Sequence, residues 1–233
     1  MYLSIVLELK KSCHPEKVSL LQGFFKTGKG GYAEGDKFLG VVVPDQRRIA
    51  KAYRTASLKV IKRLLGSIYH EHRLTGLLIL VYKYQVADEK EKKVIYNFYL
   101  KNTKSINNWD LVDVTCPPIV GDYLFSRPSE RKILYRLVRS KNLWERRIAV
   151  LATFVFIRHG DFKDILKLSK WLLSDKHDLI HKAVGWMLRE VGKKNQRVLT
   201  EFLKNNISKM PRTILRYAVE KYAPAERAKI MSK

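Results

Sequence analysis

Four similar helix openings recur along the chain at an almost constant interval. Arg73, Asp110, Arg147 and Lys182 each open an apolar helical segment, and their successive spacings are 37, 37 and 35 residues. Each interval has room for two helices and a short joint. A two-helix unit at nearly constant period is typical of α-solenoids of the HEAT kind, whose units stack because one helix pair cannot bury its own apolar face. An ordinary helical bundle with accidental spacing is the alternative.

Helical patterns predominate along the whole sequence. Strand-like alternation is weak, and the β-branched run Val41–Val43 stops at Pro44. Four glycines between Thr27 and Asp36 exclude a helix there, since each would cost about 1 kcal/mol in a helix interior. That segment is predicted to be the main loop. Helices are predicted over residues 4–10, 15–26, 45–55, 57–68, 70–86, 88–102, 107–115, 117–126, 128–139, 142–159, 161–174, 177–191, 194–205, 209–222 and 224–231.

The balance of charge points to an anionic partner. Lys and Arg exceed Asp and Glu by enough to give a formal net charge of +24, which opposes compaction by self-repulsion. Nucleic acid is the first candidate and an acidic membrane surface the second. The span from Arg127 to Arg147 is especially basic, with Glu130 and Glu145 as its only acidic residues. Many of these cations are expected to be merely solvated.

These observations predict an all-α fold, an α-solenoid of HEAT-like helical repeats with a concave, basic DNA-binding face. If the solenoid is right, the polar residues that open the inner helices share that face. We expect one domain over residues 1–233, in which residues 1–43 hold N-terminal helices and the glycine-rich loop and residues 44–233 hold the tandem repeats. The predicted face carries Arg73, Asp113, Arg147 and Lys182.

Few residues suggest metal, cofactor or membrane chemistry. The glycine-rich segment lacks the order of a phosphate-binding loop, and the close pairs His70/His72 and His177/His181 have no third ligand at helical spacing. Two cysteines in a chain of this size fit a reducing compartment. The longest apolar run, Leu74–Tyr82, is too short to span a bilayer. We therefore expect a cytoplasmic monomer with no metal, cofactor, membrane or obligate protein partner.

One acidic segment stands out on this basic chain. In the run Asn107–Asp113, Trp109 and Asp113 are four residues apart, and so lie on one face of a helix. An acidic residue on a positive surface is expected to hold a cation, whether a neighbouring side chain or a charged substrate. The alternative is structural: Asp110 caps the helix and Asp113 pairs with a basic neighbour such as Arg147 or Lys182.

Two further tryptophans occupy comparable places in the repeats. Trp144 opens the next inner helix, and Trp186 follows Gly185, whose missing side chain would leave room beside the ring. Tryptophan inside a helical repeat is more often a packing residue. An aromatic face near a carboxylate is nonetheless a good environment for a cation.

The sequence resembles the AlkD-like DNA alkylation repair proteins from about residue 20 to about residue 225. The resemblance rests on five blocks in consistent order. They are Phe25-Lys-Thr-Gly-Lys-Gly, Gly35-Asp-Lys-Phe-Leu-Gly-Val-Val-Val-Pro-Asp-Gln-Arg47, Asn108-Trp-Asp-Leu-Val-Asp113, Trp144-Glu-Arg-Arg-Ile-Ala149 and Lys182-Ala-Val-Gly-Trp-Met-Leu-Arg-Glu190.

The resemblance implies a solenoid that wraps duplex DNA and removes cationic alkylated purines, such as 3-methyladenine and 7-methylguanine, without a metal or cofactor. It implies that Asp113 is the active-site carboxylate, that Trp109 and Trp186 face the substrate, and that Arg147 contacts a phosphate. We add Arg73, Lys182 and Trp144 as candidate DNA-binding residues. Some family members place a tyrosine near the lesion at about the position of Phe24, so the alkyl-group preference is open.

The implied chemistry suits the residue types. An N-alkylated purine is already cationic and leaves without protonation, so no general acid is needed. A carboxylate beside the sugar stabilises the positive charge that develops there, as in glycoside hydrolysis. Two other hypotheses for the function are a non-catalytic DNA- or RNA-binding module and a protein-binding scaffold. The first leaves Trp109, Asp113 and Trp186 unexplained, and the pI near 10 argues against the second.

Overall fold

The computed structural model describes residues 1–232, and most of these lie in helices. No β-strand occurs among them, and an isolated bridge joins Lys37 to Tyr69. The all-α prediction is therefore confirmed. The first part of the chain forms α1 (Tyr2–Lys11), α2 (Pro15–Phe24), α3 (Val43–Ala52), α4 (Leu58–Leu65), α5 (His70–Val86), α6 (Glu89–Lys101) and α7 (Trp109–Cys116). It continues as α8 (Asp122–Phe125), α9 (Lys132–Leu137), α10 (Leu143–Arg158), α11 (Lys163–Leu172), α12 (Asp178–Lys194), α13 (Gln196–Asn206), α14 (Arg212–Ala218) and α15 (Pro224–Met231).

The chain divides into two compact units, one over Met1–Ile119 and the other from Val120 onward. In the first unit α5 is the central helix. It packs against α3, α4, α6 and α7, and α1 lies against α3, α4 and α5. Nearly all of the first three turns of α5 is buried, which explains why this helix is apolar on every side.

The second unit repeats the same kind of packing. Helix α10 packs on α8, α9, α11 and α12, and α12 packs on α11, α13 and α14. Helices two apart in the chain therefore contact one another, as α10 and α12 do, while the intervening helix packs beside them. This alternation within the unit is the packing that stacked helix pairs require.

The four residues that set the sequence spacing all fall near helix N-termini. Arg73 is the fourth residue of α5, Asp110 the second of α7, and Arg147 and Lys182 the fifth of α10 and α12. The predicted positions of these four helices are accurate to about two residues at their starts, because capping side chains and polar joints mark them. Asn108 and Asn142, for example, accept hydrogen bonds from the first backbone N–H groups of α7 and α10.

Pro15, Pro44 and Pro224 lie at the first or second position of their helices, but the prolines at positions 117 and 128 do not start an α-helix as predicted. A new helix at Pro117 was predicted, but Pro117–Gly121 is a π-helical segment that continues α7 into α8. The proline occupies the helical region, with φ of −57°, and the wider turn accommodates it without ending the helix. Pro128 opens a 3₁₀ turn over Pro128–Arg131 ahead of the short α9.

Candidate active site

The first turn of α7 places the acidic segment that the sequence singled out. The side chain of Asn108 caps the helix by accepting a hydrogen bond from the N–H of Trp109. Trp109 and Asp113 follow one turn apart, and both are partly exposed. The expectation that Asp110 caps this helix was wrong in detail: the cap is Asn108, while Asp110 bonds the N–H of Leu111 and the ring of His70.

The indole of Trp109 is one member of an aromatic stack. Its ring lies parallel to that of Phe25, with centroids 5.3 Å apart, and meets the edge of Phe24 at 5.8 Å. Phe25 in turn stacks on Phe38 at 5.1 Å. Phe25 and Phe38 are buried, whereas Phe24 is largely exposed. The stack therefore supports the tryptophan from behind and leaves Phe24 at the surface beside it.

The glycine-rich loop also holds Trp109. Its Tyr32 hydroxyl accepts a hydrogen bond from the indole Nε1–H at 3.1 Å and donates one to the carbonyl of Phe24 at 3.3 Å. Gly31 permits the tight turn beside it, since a Cβ there would stand 1.8 Å from the Lys26 carbonyl oxygen. The loop was predicted from its glycines, but the position of Tyr32 was not.

A buried network of charged groups lies behind the stack. His70 bonds Asp110 at 2.7 Å through Nε2, and its Nδ1 lies 3.6 Å from Asp36. Arg73 completes the network by donating to Asp36 at 2.5 Å and to the Ser67 carbonyl at 2.9 Å. Burial alone would lower the pKa of His70, but the carboxylates of Asp110 and Asp36 outweigh it and raise that pKa to about 9.

Glu71, the neighbour of His70, anchors the chain that leads into α3. Its buried carboxylate accepts hydrogen bonds from the N–H groups of Leu39, Gly40 and Val41 at 2.8–3.3 Å. Burial raises the pKa of Glu71 above its ordinary value, and the backbone donors partly oppose that change. Gly40 has φ of +85° and leaves no room for a side chain against the His14 carbonyl. These contacts hold the backbone of the segment from Gly35 to Val43 in place.

The charge of Asp113 acts on buried polar groups in the core of the first unit. The Tyr99 hydroxyl and the Thr115 hydroxyl are 3.0 Å apart in the core of the first unit. Burial is the largest cause that raises the pKa of Tyr99 and of Cys116, and the negative charge of Asp113 raises both further. Both groups therefore stay neutral, so neither competes with Asp113 as a source of negative charge.

The candidates in the second unit differ widely in exposure. Trp144 and Arg147 are buried, with Arg147 only 4% exposed, and the Arg147 guanidinium donates to the carbonyl of Leu179. Trp186 is partly exposed; its indole N–H donates to Glu190 at 3.2 Å, and its ring lies 5.9 Å from that of Phe154.

The other two DNA-binding candidates, one in each unit, have ion-pair partners. The Lys182 side chain is 39% exposed and pairs with Asp178 at 2.7 Å. Arg73 is 3% exposed and pairs with Asp36, so its position favours a structural role. The sequence suggested that Gly185 leaves space beside the Trp186 ring, but the structure shows no such space. A Cβ there would stand 2.5 Å from the Cβ of Tyr217, so this glycine lets α12 approach α14.

Several contacts in the first unit could not be predicted from the sequence. Tyr32, Asp36, His70 and Glu71 are separated from their partners by 30 to 77 residues, and no spacing rule links them. The sequence held one partial indication of these contacts: the polar residues His70 to Arg73 begin the most apolar helix, and buried polar side chains need partners.

Among residues 1–232 no group of three His, Cys, Asp or Glu side chains is arranged to hold a metal ion. Over the same residues, no helix is long and apolar enough to cross a membrane.

Comparisons with known proteins identify the family and the fold. The family model of the DNA alkylation repair enzymes matches residues 5–222. Among solved structures, a predicted DNA alkylation repair enzyme from Enterococcus faecalis aligns with a TM-score of 0.71 at 17% identity, over 91% of this chain and 98% of that one. AlkD2 from Streptococcus mutans aligns with a TM-score of 0.58 at 18% identity, over 90% and 98% of the two chains.

A third structure, smu.31 from Streptococcus mutans UA159, aligns with a TM-score of 0.53 at 17% identity, over 94% of this chain and 97% of that one. No curated protein matches the chain significantly. At these sequence identities the structural similarity establishes the fold. The match to the family model over nearly the whole length establishes the family membership. The chain therefore belongs to the DNA alkylation repair enzyme family.

Proposed function

We propose that this protein is a monofunctional DNA glycosylase that hydrolyses the N-glycosidic bond of cationic alkylated purines, of the 3-methyladenine and 7-methylguanine type, in duplex DNA. The observation that carries the proposal is the pairing of Trp109 with Asp113 on one face of α7, in a chain of the DNA alkylation repair family. Both side chains reach the surface. A carboxylate one helical turn from a supported indole suits a substrate that becomes positively charged.

The proposed reaction needs no acid. The bond between C1′ of the deoxyribose and the purine nitrogen breaks, and its electron pair neutralises the cationic base as it leaves. Positive charge then develops on the sugar, where Asp113 stabilises it. Water adds at C1′ and loses a proton, which Asp113 can accept. The products are a free neutral base and an abasic site.

The aromatic side chains have a complementary role in this proposal. Trp109 cannot turn freely, because Phe25 lies against its face and Tyr32 holds its N–H. A fixed indole offers its π face to a positive sugar at little entropic cost. Trp186, on α12, is proposed for the same kind of contact, as the resemblance implies.

Duplex DNA binding is proposed to depend mainly on the backbone. The net charge of +24 supports it, and Lys182 is exposed enough to reach a phosphate. Arg147 stays in the proposal as a phosphate contact, which would require its guanidinium to exchange the Leu179 carbonyl for a phosphate oxygen. Trp144 and Arg73 are about as buried as Arg147, and the resemblance implies no phosphate contact for either, so this proposal assigns both to packing.

The test is incubation with methylated duplex DNA, followed by chromatography of the released bases under single-turnover conditions. The wild-type protein is expected to release 7-methylguanine. Asp113→Asn should lower the rate by about 10²–10³ and leave DNA affinity equal or slightly higher, since one negative charge facing phosphates is lost.

Asp110→Asn is the matched control on the same helix. It weakens the bond to His70, so it should lower the melting temperature, with a smaller effect on rate. A stable Asp113→Asn protein with wild-type excision would remove the catalytic role of Asp113. Wild-type protein that binds methylated duplex tightly but releases no base would favour the non-catalytic binding module.

A further inference from the structure

A second strongly basic surface lies on α9 and α11, which carry none of the candidate site residues. Two rows of exposed cations define it. They are Lys132, Arg136 and Arg139 on α9 and the turn that follows it, and Lys163, Lys167 and Lys170 on α11. Both rows have the same spacing of four and then three residues, so each row runs along one face of its helix for about 10 Å. We call this surface the α9–α11 face.

Two carboxylates near the α9–α11 face are held in hydrogen bonds that join its helices. Asp164 is the single carboxylate within residues 132–139 and 163–172, and it is buried. It accepts hydrogen bonds from Arg131 at 3.0 Å and Tyr135 at 2.5 Å. Asp161, just before α11, pairs with the same Arg131 at 2.5 Å. These contacts hold α9 beside α11, and the exposed charged residues within the two helices are all cations.

Two aromatic rings lie among the cations and fix some of them in place. Tyr135 meets Trp171 edge to face at 5.5 Å, and the Trp171 residue is 36% exposed. The Arg139 guanidinium lies 4.3 Å from the centre of the Trp171 ring, and the Lys167 ammonium lies 4.9 Å from that of Tyr135. A cation–π contact orders the side chain without removing its charge, so these two cations stay available to an anion.

We propose that the α9–α11 face binds the phosphodiester backbone of a second nucleic-acid segment, in addition to the one proposed for Lys182 and Arg147 of the same unit. Two rows of regularly spaced cations match a polymer with regularly spaced phosphates. An arginine that rests on a tryptophan can direct its N–H groups toward a phosphate. Trp171 is the one large apolar side chain exposed on this face, which leaves little to insert into a lipid surface.

The experiment compares two double charge reversals that change the net charge equally. Arg136→Glu with Lys167→Glu removes one cation from each row. Lys90→Glu with Lys93→Glu, on exposed positions of α6 in the first unit, is the matched control. Affinity for a long unmodified duplex is measured between 50 and 200 mM salt, and thermal melts establish that both proteins are folded.

The α9–α11 variant should bind the long duplex at least tenfold more weakly at low salt, and its salt slope should fall by about 2, one for each lost phosphate contact. The control should keep the wild-type slope. Base release from a short, saturating methylated duplex should be unchanged, so the result does not depend on whether the protein is a glycosylase. If the reversal variant fails to fold, Arg136→Gln with Lys167→Gln replaces it.

Equal losses of affinity in the two reversal variants would overturn the proposal, because net charge alone would then account for binding. It would also be overturned if the α9–α11 variant lost binding to anionic phospholipid vesicles while its affinity for long duplex DNA stayed at the wild-type value.

Discussion

The indole N–H of Trp109 donates a hydrogen bond to the hydroxyl of Tyr32, 77 residues earlier in the chain, at 3.1 Å. This contact joins the glycine-rich loop to the first residue of α7. The same hydroxyl donates to the carbonyl of Phe24, so the loop, the end of α2 and the tryptophan form one hydrogen-bonded chain. The loop is therefore part of the structure that supports the candidate active site.

Tyr32→Phe removes this hydroxyl and little else. The indole N–H loses its partner, and a hydrogen bond of this kind contributes about 0.5–1.5 kcal/mol. We expect base release to slow by about two- to tenfold while DNA affinity changes little, and we expect the emission of Trp109 to shift. Single-turnover kinetics and tryptophan fluorescence measure the two effects.

A double-mutant cycle provides the control for Tyr32. In a Trp109→Phe background, which has no indole N–H, adding Tyr32→Phe should have a much smaller effect on rate, because only the hydrogen bond to the Phe24 carbonyl is then lost. A full effect of Tyr32→Phe in that background would mean that the hydroxyl acts through some other group.

His70 should make folding stability depend on pH in the alkaline range. Its pKa is raised in the folded protein to about 9, from 6.5, because Asp110 and Asp36 more than offset burial. The folded state therefore holds one more proton than the unfolded state between these values. The stabilisation is complete below pH 6.5 and is lost as pH rises through 9, with a total of about 3 kcal/mol.

Urea denaturation from pH 6 to pH 10 checks this expectation. The free energy of unfolding of the wild-type protein should fall across the window, whereas His70→Gln should be less stable at pH 6 and nearly flat above it. Parallel slopes for the two proteins would show that His70 is not the titrating group.

The sequence was sufficient for the helices but not for the contacts between distant segments. Periodicity and capping residues located α5, α7, α10 and α12 because those signals are local. The π-helical run at Pro117 was missed, since a proline inside a continuing helix resembles a proline that starts one. Two points remain predictions: that the chain forms a single domain, and that it has a concave face.

The candidate site was likewise predictable only where its residues are close in sequence. Trp109 and Asp113 are one turn apart, so their shared face follows from helix geometry alone. Arg73 and Arg147 were expected on one surface because each lies near the start of an inner helix, yet both are buried, with backbone carbonyls among their partners. A cation at a helix start gives no sign of whether it faces solvent or another helix, which only tertiary packing decides.

Glu71→Ala should destabilise the protein strongly without touching the candidate site directly. The change leaves the N–H groups of Leu39, Gly40 and Val41 without their acceptor, at about 1–3 kcal/mol for each buried donor. We expect a fall in melting temperature of about 10 °C or more. Limited proteolysis should also cut residues 26–42 faster.

Glu91→Ala, at an exposed position of α6, is the control for Glu71 and should melt close to wild type. If both variants melted alike, the carboxylate of Glu71 would not be the anchor of this loop.

Two glycines of α12 provide a test of how closely this helix packs. A Cβ at Gly185 would stand 2.5 Å from the Cβ of Tyr217 and 2.8 Å from the carbonyl oxygen of Ile214. These atoms cannot move unless α14 moves with them. A Cβ at Gly192 would stand 2.5 Å from a terminal methyl of Leu199, which can rotate away.

Both glycines gain about 1 kcal/mol in helix propensity when they become alanine, so the difference between the two variants measures the clash. Gly185→Ala should lose about 1–3 kcal/mol of stability from overpacking, whereas Gly192→Ala should be neutral or more stable. Denaturation of the two variants in parallel measures the difference. Equal stabilities would mean that α12 and α14 have room to separate, and Gly185 would then have to be explained by something other than this contact.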